Sequence, residues 1–165
     1  MPTTKVAYPR SMVAYDAEGK ELFRSISLWV LMDLDTRSMV LPGKSGVIVD
    51  GRLTGNELDL PRALISRDMT ATSKRTVTYS CLDRTGHMTN TRYLDWVEDL
   101  LPSDFHSHHE PREFIICYHA EALEMQEVTL AWKLLPEGCL QVDAHREKTG
   151  VPSTQERVFS AQVLF

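Results

Sequence analysis

The sequence predicts an α+β fold in which one amphipathic helix lies against an antiparallel sheet. Two observations predict it: a helical stripe of apolar residues at 90–101, and strand-like alternating runs on both sides of that stripe. Before the helix, residues 75–81 (RTVTYSC) alternate, with Val77, Tyr79 and Cys81 on one side and Thr76, Thr78 and Ser80 on the other. A polar turn containing Gly86 follows. Residues 90–101 (NTRYLDWVEDLL) then place Tyr93, Leu94, Trp96, Val97, Leu100 and Leu101 at helical spacing. Thr89 or Asn90 can cap the start, and Pro102 follows the last periodic residue.

Four strands come next. Residues 113–122 put Phe114, Ile116 and Tyr118 on one face, and residues 127–135 alternate through Val128, Leu130, Trp132 and Leu134. Pro136-Glu137-Gly138 signals a hairpin. Residues 139–146 return with Leu140, Val142 and Ala144 on one face, and residues 157–165 alternate through Phe159, Ala161, Val163 and Phe165.

The first half has strands but no helix. Residues 11–15 and 21–32 flank the hairpin turn Asp16-Ala17-Glu18-Gly19, and residues 31–37 turn toward 38–41 ahead of Pro42-Gly43. A three-stranded sheet with an apolar face needs a cover, from the second half, another copy or elsewhere. Residues 43–74, with GKSG, GRLTGN and LPRAL, read as a connector. The expected organisation is thus a partial unit at 1–42, a connector at 43–74 and a complete helix-and-sheet unit at 75–165.

Composition narrows the classes. With 42% hydrophobic and 25% charged residues the chain sits near the soluble average. No apolar run approaches the roughly 20 residues needed to span a bilayer. The first residues lack the apolar core of a signal peptide, so a cytoplasmic location and no membrane partner are expected. A net charge of −5 offers no footprint for nucleic acid. Cys81, Cys117 and Cys139 are odd in number and widely spaced, which argues against a disulfide framework or structural zinc and for small apolar residues within strands. His106, His108 and His109 lack a ligand scaffold and read as a solvated loop, so no metal is expected.

The run from Tyr79 to Trp96 (YSCLDRTGHMTNTRYLDW) closely resembles the acyl-carrier-protein thioesterases of bacteria and plants, whose pattern here is D-x-N-x-H-x-N-N-x-x-Y. Tyr118-His119-Ala120-Glu121 looks like the Y-x-x-E strand of that family. Residues 27–33 (SLWVLMD) resemble the strand that closes its first domain. The resemblance implies a hotdog fold, an antiparallel sheet wrapped around a central helix. Family members are tandem double hotdogs, so this chain is expected to begin inside the first. The implied activity is hydrolysis of acyl-acyl carrier protein, releasing a free fatty acid in fatty acid biosynthesis, without a cofactor. The thiol partner would be acyl carrier protein or coenzyme A, and self-association to cover the sheet is an expectation.

The resemblance maps the catalytic positions of the family to Asp83, His87 and Glu121. Thr85 stands where the catalytic asparagine would be, and Thr89 where the first of two further asparagines is expected; Asn90 keeps the second. Ala122 stands where plant enzymes carry a cysteine, so no cysteine nucleophile is implied. Thioester hydrolysis needs an activated water, an oxyanion stabiliser and a proton for the leaving thiol. Glu121 would activate water, His87 would share proton transfer or orient the water, and Asp83 would hold the constellation. Restoring the amide, Thr85→Asn, is expected to raise the rate. Asn90, Arg92, Tyr93 and Trp96 are the candidate substrate-binding residues, although the aromatic pair also reads as core. Lys74, Arg75, Arg84, Arg92 and Arg112 could offer a basic patch to an acidic carrier. Asp83 as a turn residue, His87 as a helix-start residue and Glu121 as an edge charge are the plainer readings. Loss of the asparagine leaves two other classes open, an impaired acyl-thioester binder and a structural remnant.

Overall fold

The computed structural model describes every residue except 1, 2, 37, 56, 66, 67 and 152. Arg37, where the sequence ends its third strand, lies outside the described residues, as do Asn56, Ser66 and Arg67 of the connector and Pro152 of the last turn. Two compact units divide the chain, Met1–Arg62 and Ala63–Phe165.

The second unit holds a five-stranded antiparallel sheet and one principal helix. Its strands are β5 (Ala71–Thr76), β6 (Glu113–Tyr118), β7 (Glu127–Leu134), β8 (Cys139–Glu147) and β9 (Gln155–Leu164), in the order β5-β7-β8-β9-β6. Helix α2 (Asn90–Glu98) packs on the inner face. Its N-cap is Thr89, in extended conformation, and it buries Tyr93, Trp96 and Val97. Those side chains meet Val128 and Leu130 of β7, Leu140, Val142 and Ala144 of β8, and Phe159, Ala161 and Val163 of β9 in one core. This is the helix-on-sheet hotdog arrangement. The inward residues are those the period-2 runs place on one face, because alternate side chains of a strand share a side.

Two sequence expectations change. The strand placed at 75–81 runs instead over Ala71–Thr76, and Tyr79–Cys81 forms a single 3₁₀ turn that leaves Tyr79 81% exposed. Val77 is fully buried between the two. The histidine run is not an open loop: it lies on a short helix, α3 (Ser103–His108), begun after Pro102. Its imidazoles bond back to carbonyls, His106 Nε2 to Glu98 O, His108 Nδ1 to Asp104 O and His109 Nδ1 to Phe105 O. Strand β6 lies at the far edge of the sheet, against β9.

An irregularity in β8–β9 matters for the site. The register passes from Ala144↔Phe159 to His145↔Arg157, skipping Val158. The Val158 carbonyl instead accepts N–H groups from His119 (2.8 Å) and Ala120 (3.1 Å), anchoring the segment after β6.

The first unit is a hairpin and a small second pair. Strands β1 (Tyr8–Tyr15) and β2 (Glu21–Trp29) pair across the predicted turn, where Asp16 Oδ1 accepts Glu18 and Lys20 N–H groups and Gly19 takes φ +83°. Among the described residues, the pairing beyond it is that of Leu31–Met32 (β3) with Met39–Val40 (β4), and Asp33 closes a turn by accepting the Asp35 and Thr36 N–H groups. The third strand is therefore a two-residue piece. A short helix, α1 (Pro42–Ser45), follows, and Tyr8 and Ser45 hydroxyls meet at 2.7 Å. Among the described residues no helix is long and apolar enough to cross a membrane.

Candidate active site

The turn between the 3₁₀ segment and α2 folds on itself. Asp83 N–H donates to His87 O (2.8 Å) and Gly86 N–H to Asp83 O (3.2 Å), with Gly86 at φ +82°, a backbone state that favours glycine. Leu82 and Met88 bridge as a one-rung ladder. Asp83 Oδ1 accepts three donors: the Thr85 hydroxyl at 2.6 Å, the Thr85 N–H at 2.8 Å and the His87 N–H at 3.2 Å. The Thr85 side-chain bond, then its backbone bond, hold the Asp83 carboxyl below its usual range.

A charged Asp83 settles the hydrogens. An ionised carboxylate only accepts, so the Thr85 hydroxyl proton points to Asp83. Thr85 Oγ1 also lies 3.2 Å from His87 Nδ1, and its remaining lone pair accepts from that nitrogen. With a hydrogen on Nδ1 facing Thr85, the His87 ring turns Nε2 away from Thr85. Nε2 is 3.4 Å from Glu121 Oε2.

Glu121 comes to this place from a separate part of the chain. It sits in the segment linking β6 and β7, whose Ala122 carbonyl accepts Met88 N–H (2.9 Å) and whose Leu123 bridges His87. The fold therefore joins Asp83, Thr85, His87 and Glu121 in one continuous chain of contacts. His87 is three-quarters buried, at 24% exposure of its side chain, while Glu121 is 55% exposed. Backed on one side and open on the other, the pair can meet a substrate.

The four substrate-binding candidates separate by depth. Asn90 and Arg92 are exposed on the first turn of α2, and Arg92 is paired with Asp95 at 2.8 Å. Tyr93 and Trp96 are buried at 3% and 7%. Tyr93 stacks edge-on against Trp96, Tyr118 and Phe159 and so supports the site from beneath. Burial raises its phenol above the usual range, a hydrogen bond from the Ala122 backbone offsetting part of the rise. Of the basic residues, Lys74 is paired with Glu127 (2.6 Å) and Arg75 donates to Ser73 Oγ.

Sequence reasoning missed Arg146 and Gln126, and named Tyr118 only as part of the Y-x-x-E motif. Tyr118, whose hydroxyl burial pushes up to about 12 and keeps protonated, donates to Asn90 O (3.2 Å) and ties β6 to the start of α2. Arg146 and Gln126 hold the Glu121 segment from behind. A signal existed for Arg146: it continues the inward row Leu140, Val142, Ala144, where an arginine is out of place.

A family model for the acyl-ACP thioesterase C-terminal domain matches residues 66–157, more than half of the chain and all of the turn, helix and Glu121 segment. This chain belongs to the acyl-ACP thioesterase family. Solved structures agree in fold. An acyl-ACP thioesterase from Bacteroides thetaiotaomicron matches at 26% identity and TM-score 0.76, over 99% of this chain and 65% of that one. A putative oleoyl thioesterase from Lactobacillus plantarum matches at 24% and 0.71, over 96% and 62%. A 12:0-ACP thioesterase from Umbellularia californica matches at 19% and 0.74, over 99% and 64%. The chain thus spans somewhat under two thirds of the length of these relatives. No curated protein sequence matches it.

Proposed function

We propose that this acyl-ACP thioesterase family member hydrolyses acyl thioesters, with acyl-acyl carrier protein as substrate and a free fatty acid as product in fatty acid biosynthesis. The observation that carries the reading is the contact chain Asp83–Thr85–His87–Glu121. His87, tethered through Nδ1 to Thr85, turns Nε2 toward the Glu121 carboxylate. At 3.4 Å the two groups stand just beyond ordinary hydrogen-bond distance. A water hydrogen-bonded to Glu121 beside His87 keeps a lone pair free to attack.

In the first step the water oxygen bonds to the thioester carbonyl carbon as Glu121 takes its proton. The carbonyl π-electrons move to the oxygen, where the N-terminal dipole of α2 offers stabilisation, since the helix starts three residues after His87. In the second step the oxyanion reforms the carbonyl, the C–S bond breaks, and the proton is passed through His87 to the departing thiolate. Asp83 and Thr85 hold the imidazole throughout. Asn90 and Arg92 can contact the carrier arm at the rim, with Tyr93 and Trp96 behind them. Coenzyme A is the alternative thiol, and both proteins and small thioesters belong in the test.

Turnover of an acyl thioester, read by a thiol reagent, is expected to fall by about 10²–10⁴-fold in His87→Ala and in Glu121→Ala, the usual worth of a positioned acid–base group. Folded variants that keep wild-type turnover overturn the role assignment.

A further inference from the structure

The segment carrying Glu121 is held by more than its neighbours in the chain. Gln126 Oε1 accepts the Leu123 N–H at 2.9 Å, and Gln126 N–H donates back to Leu123 O at 3.2 Å, closing a tight turn over residues 123–126. Met125 takes φ +64° within it, and the turn is stitched to the core by Met125 N–H to Val77 O (2.8 Å) and Val77 N–H to Gln126 O (3.0 Å). The same Gln126 Oε1 accepts from Arg146 Nη1. Both donors are N–H groups, so the amide can face them only with its oxygen.

Arg146 is unusual in its own right. Its side chain is 10% exposed, at the end of an inward strand row, and it is opposed across β8–β9 by Glu156, with contacts of 2.7 and 3.0 Å. A buried guanidinium is costly to desolvate and needs good partners. Here one partner fixes the charge and the other is the amide of the turn. Releasing Gln126 would loosen Leu123, which bridges His87, and Ala122, which accepts Met88 N–H. Those contacts hold the chain immediately after Glu121, whose carboxylate stands 3.4 Å from His87.

We infer that Gln126, clamped by the Arg146–Glu156 pair, is a positioning residue that sets Glu121 opposite His87. Its effect on rate rests on the hydrolysis proposed above; its effect on the segment does not. Gln126→Leu removes the shared acceptor while leaving the Arg146–Glu156 pair in place. Gln126→Glu keeps an acceptor for both donors and serves as rescue. Two readouts separate the claims: steady-state kcat and KM with an acyl thioester, and amide hydrogen exchange of the folded protein.

In Gln126→Leu the Met88 and Leu123 amides are expected to exchange at least about tenfold faster, while Leu130 and Val142 in the sheet keep wild-type protection. With KM little changed, kcat is expected to fall by about 10–10²-fold, as misplacement of a reacting group does. Gln126→Glu is expected to restore both readouts to within about threefold. Wild-type exchange at Met88 and Leu123 in folded Gln126→Leu overturns the clamp. Accelerated exchange with unchanged kcat overturns its role in positioning Glu121. Should the wild-type chain itself show no turnover, the proposed hydrolysis fails and exchange alone decides the clamp.

Discussion

Replacing Thr85 by valine, which keeps shape and removes the hydroxyl, tests whether the Asp83–Thr85–His87 contacts orient the imidazole. The hydroxyl oxygen stands 2.6 Å from Asp83 Oδ1 and 3.2 Å from His87 Nδ1, so one atom both receives the orientation of Asp83 and transmits it to the ring. Without it the ring has about three χ1 wells, about two χ2 orientations and two neutral tautomers open to it, and about one state in twelve is productive. Partial burial of His87 excludes some of these, which brings the loss of productive population to roughly fivefold to tenfold. Imprecise aim of the remaining population raises the expected fall in kcat to between about tenfold and 10²-fold. KM should stay within about threefold, because no substrate contact is removed. Thr85 is exposed, so the thermal midpoint should scarcely move. The assay is steady-state hydrolysis followed by a thiol reagent, with circular dichroism melts on the same samples. A folded Thr85→Val protein within twofold of wild-type kcat refutes the orienting role.

Two further outcomes follow from burial and charge. His119 is held below its usual range, chiefly by burial and then by the Arg157 charge, and its Nε2 meets buried Ser160 at 3.0 Å. A depressed histidine binds fewer protons folded than unfolded, so its contribution is whole above the unfolded value of about 6.5 and is lost as pH falls through the folded one. Urea midpoints from pH 8 to 5 should therefore fall less steeply in His119→Gln than in wild type; equal slopes contradict this. Leu130 is completely buried between α2 and the sheet. Leu130→Ala should cost about 2–5 kcal/mol of unfolding free energy in urea melts, and a loss under about 1 kcal/mol would mean that the core is not packed as described.

Much of the second unit is legible in the sequence because its physics is local. The stripe Tyr93, Trp96, Val97 fixes the buried face of α2, and the period-2 rows Leu140–Val142–Ala144 and Phe159–Ala161–Val163 fix which side of the sheet receives it. The position of β6 is not local. It pairs with β9 across about forty intervening residues, and no pattern within 113–118 distinguishes that edge from a place beside β7. Tyr79 misled because alternation continues through 75–81 while the backbone leaves the sheet after Thr76.

The site divides in the same way. Asp83, His87 and Glu121 stand out by motif, and the structure brings them together with Thr85 in between. A hydroxyl looks like a poor substitute for an amide when residue types are compared. In place, one Oγ1 donates to Asp83 and accepts from His87, the two bonds the orientation requires. That geometry leaves Thr85→Asn less to restore than residue type alone suggests. The supports contributed by Arg146 and Gln126 depend on a turn and a register shift formed far from the motif, and only the misplaced polarity of Arg146 hinted at them.

The proposed function is hydrolysis of acyl thioesters by Asp83, Thr85, His87 and Glu121. It is tested most directly by steady-state hydrolysis of a panel of acyl-acyl carrier protein and acyl-coenzyme A substrates of graded chain length by the purified 165-residue chain. Release of free thiol above the uncatalysed rate, highest with carrier-protein substrates and abolished in His87→Ala, is the predicted result. A folded chain that releases no thiol from any member of the panel contradicts the account.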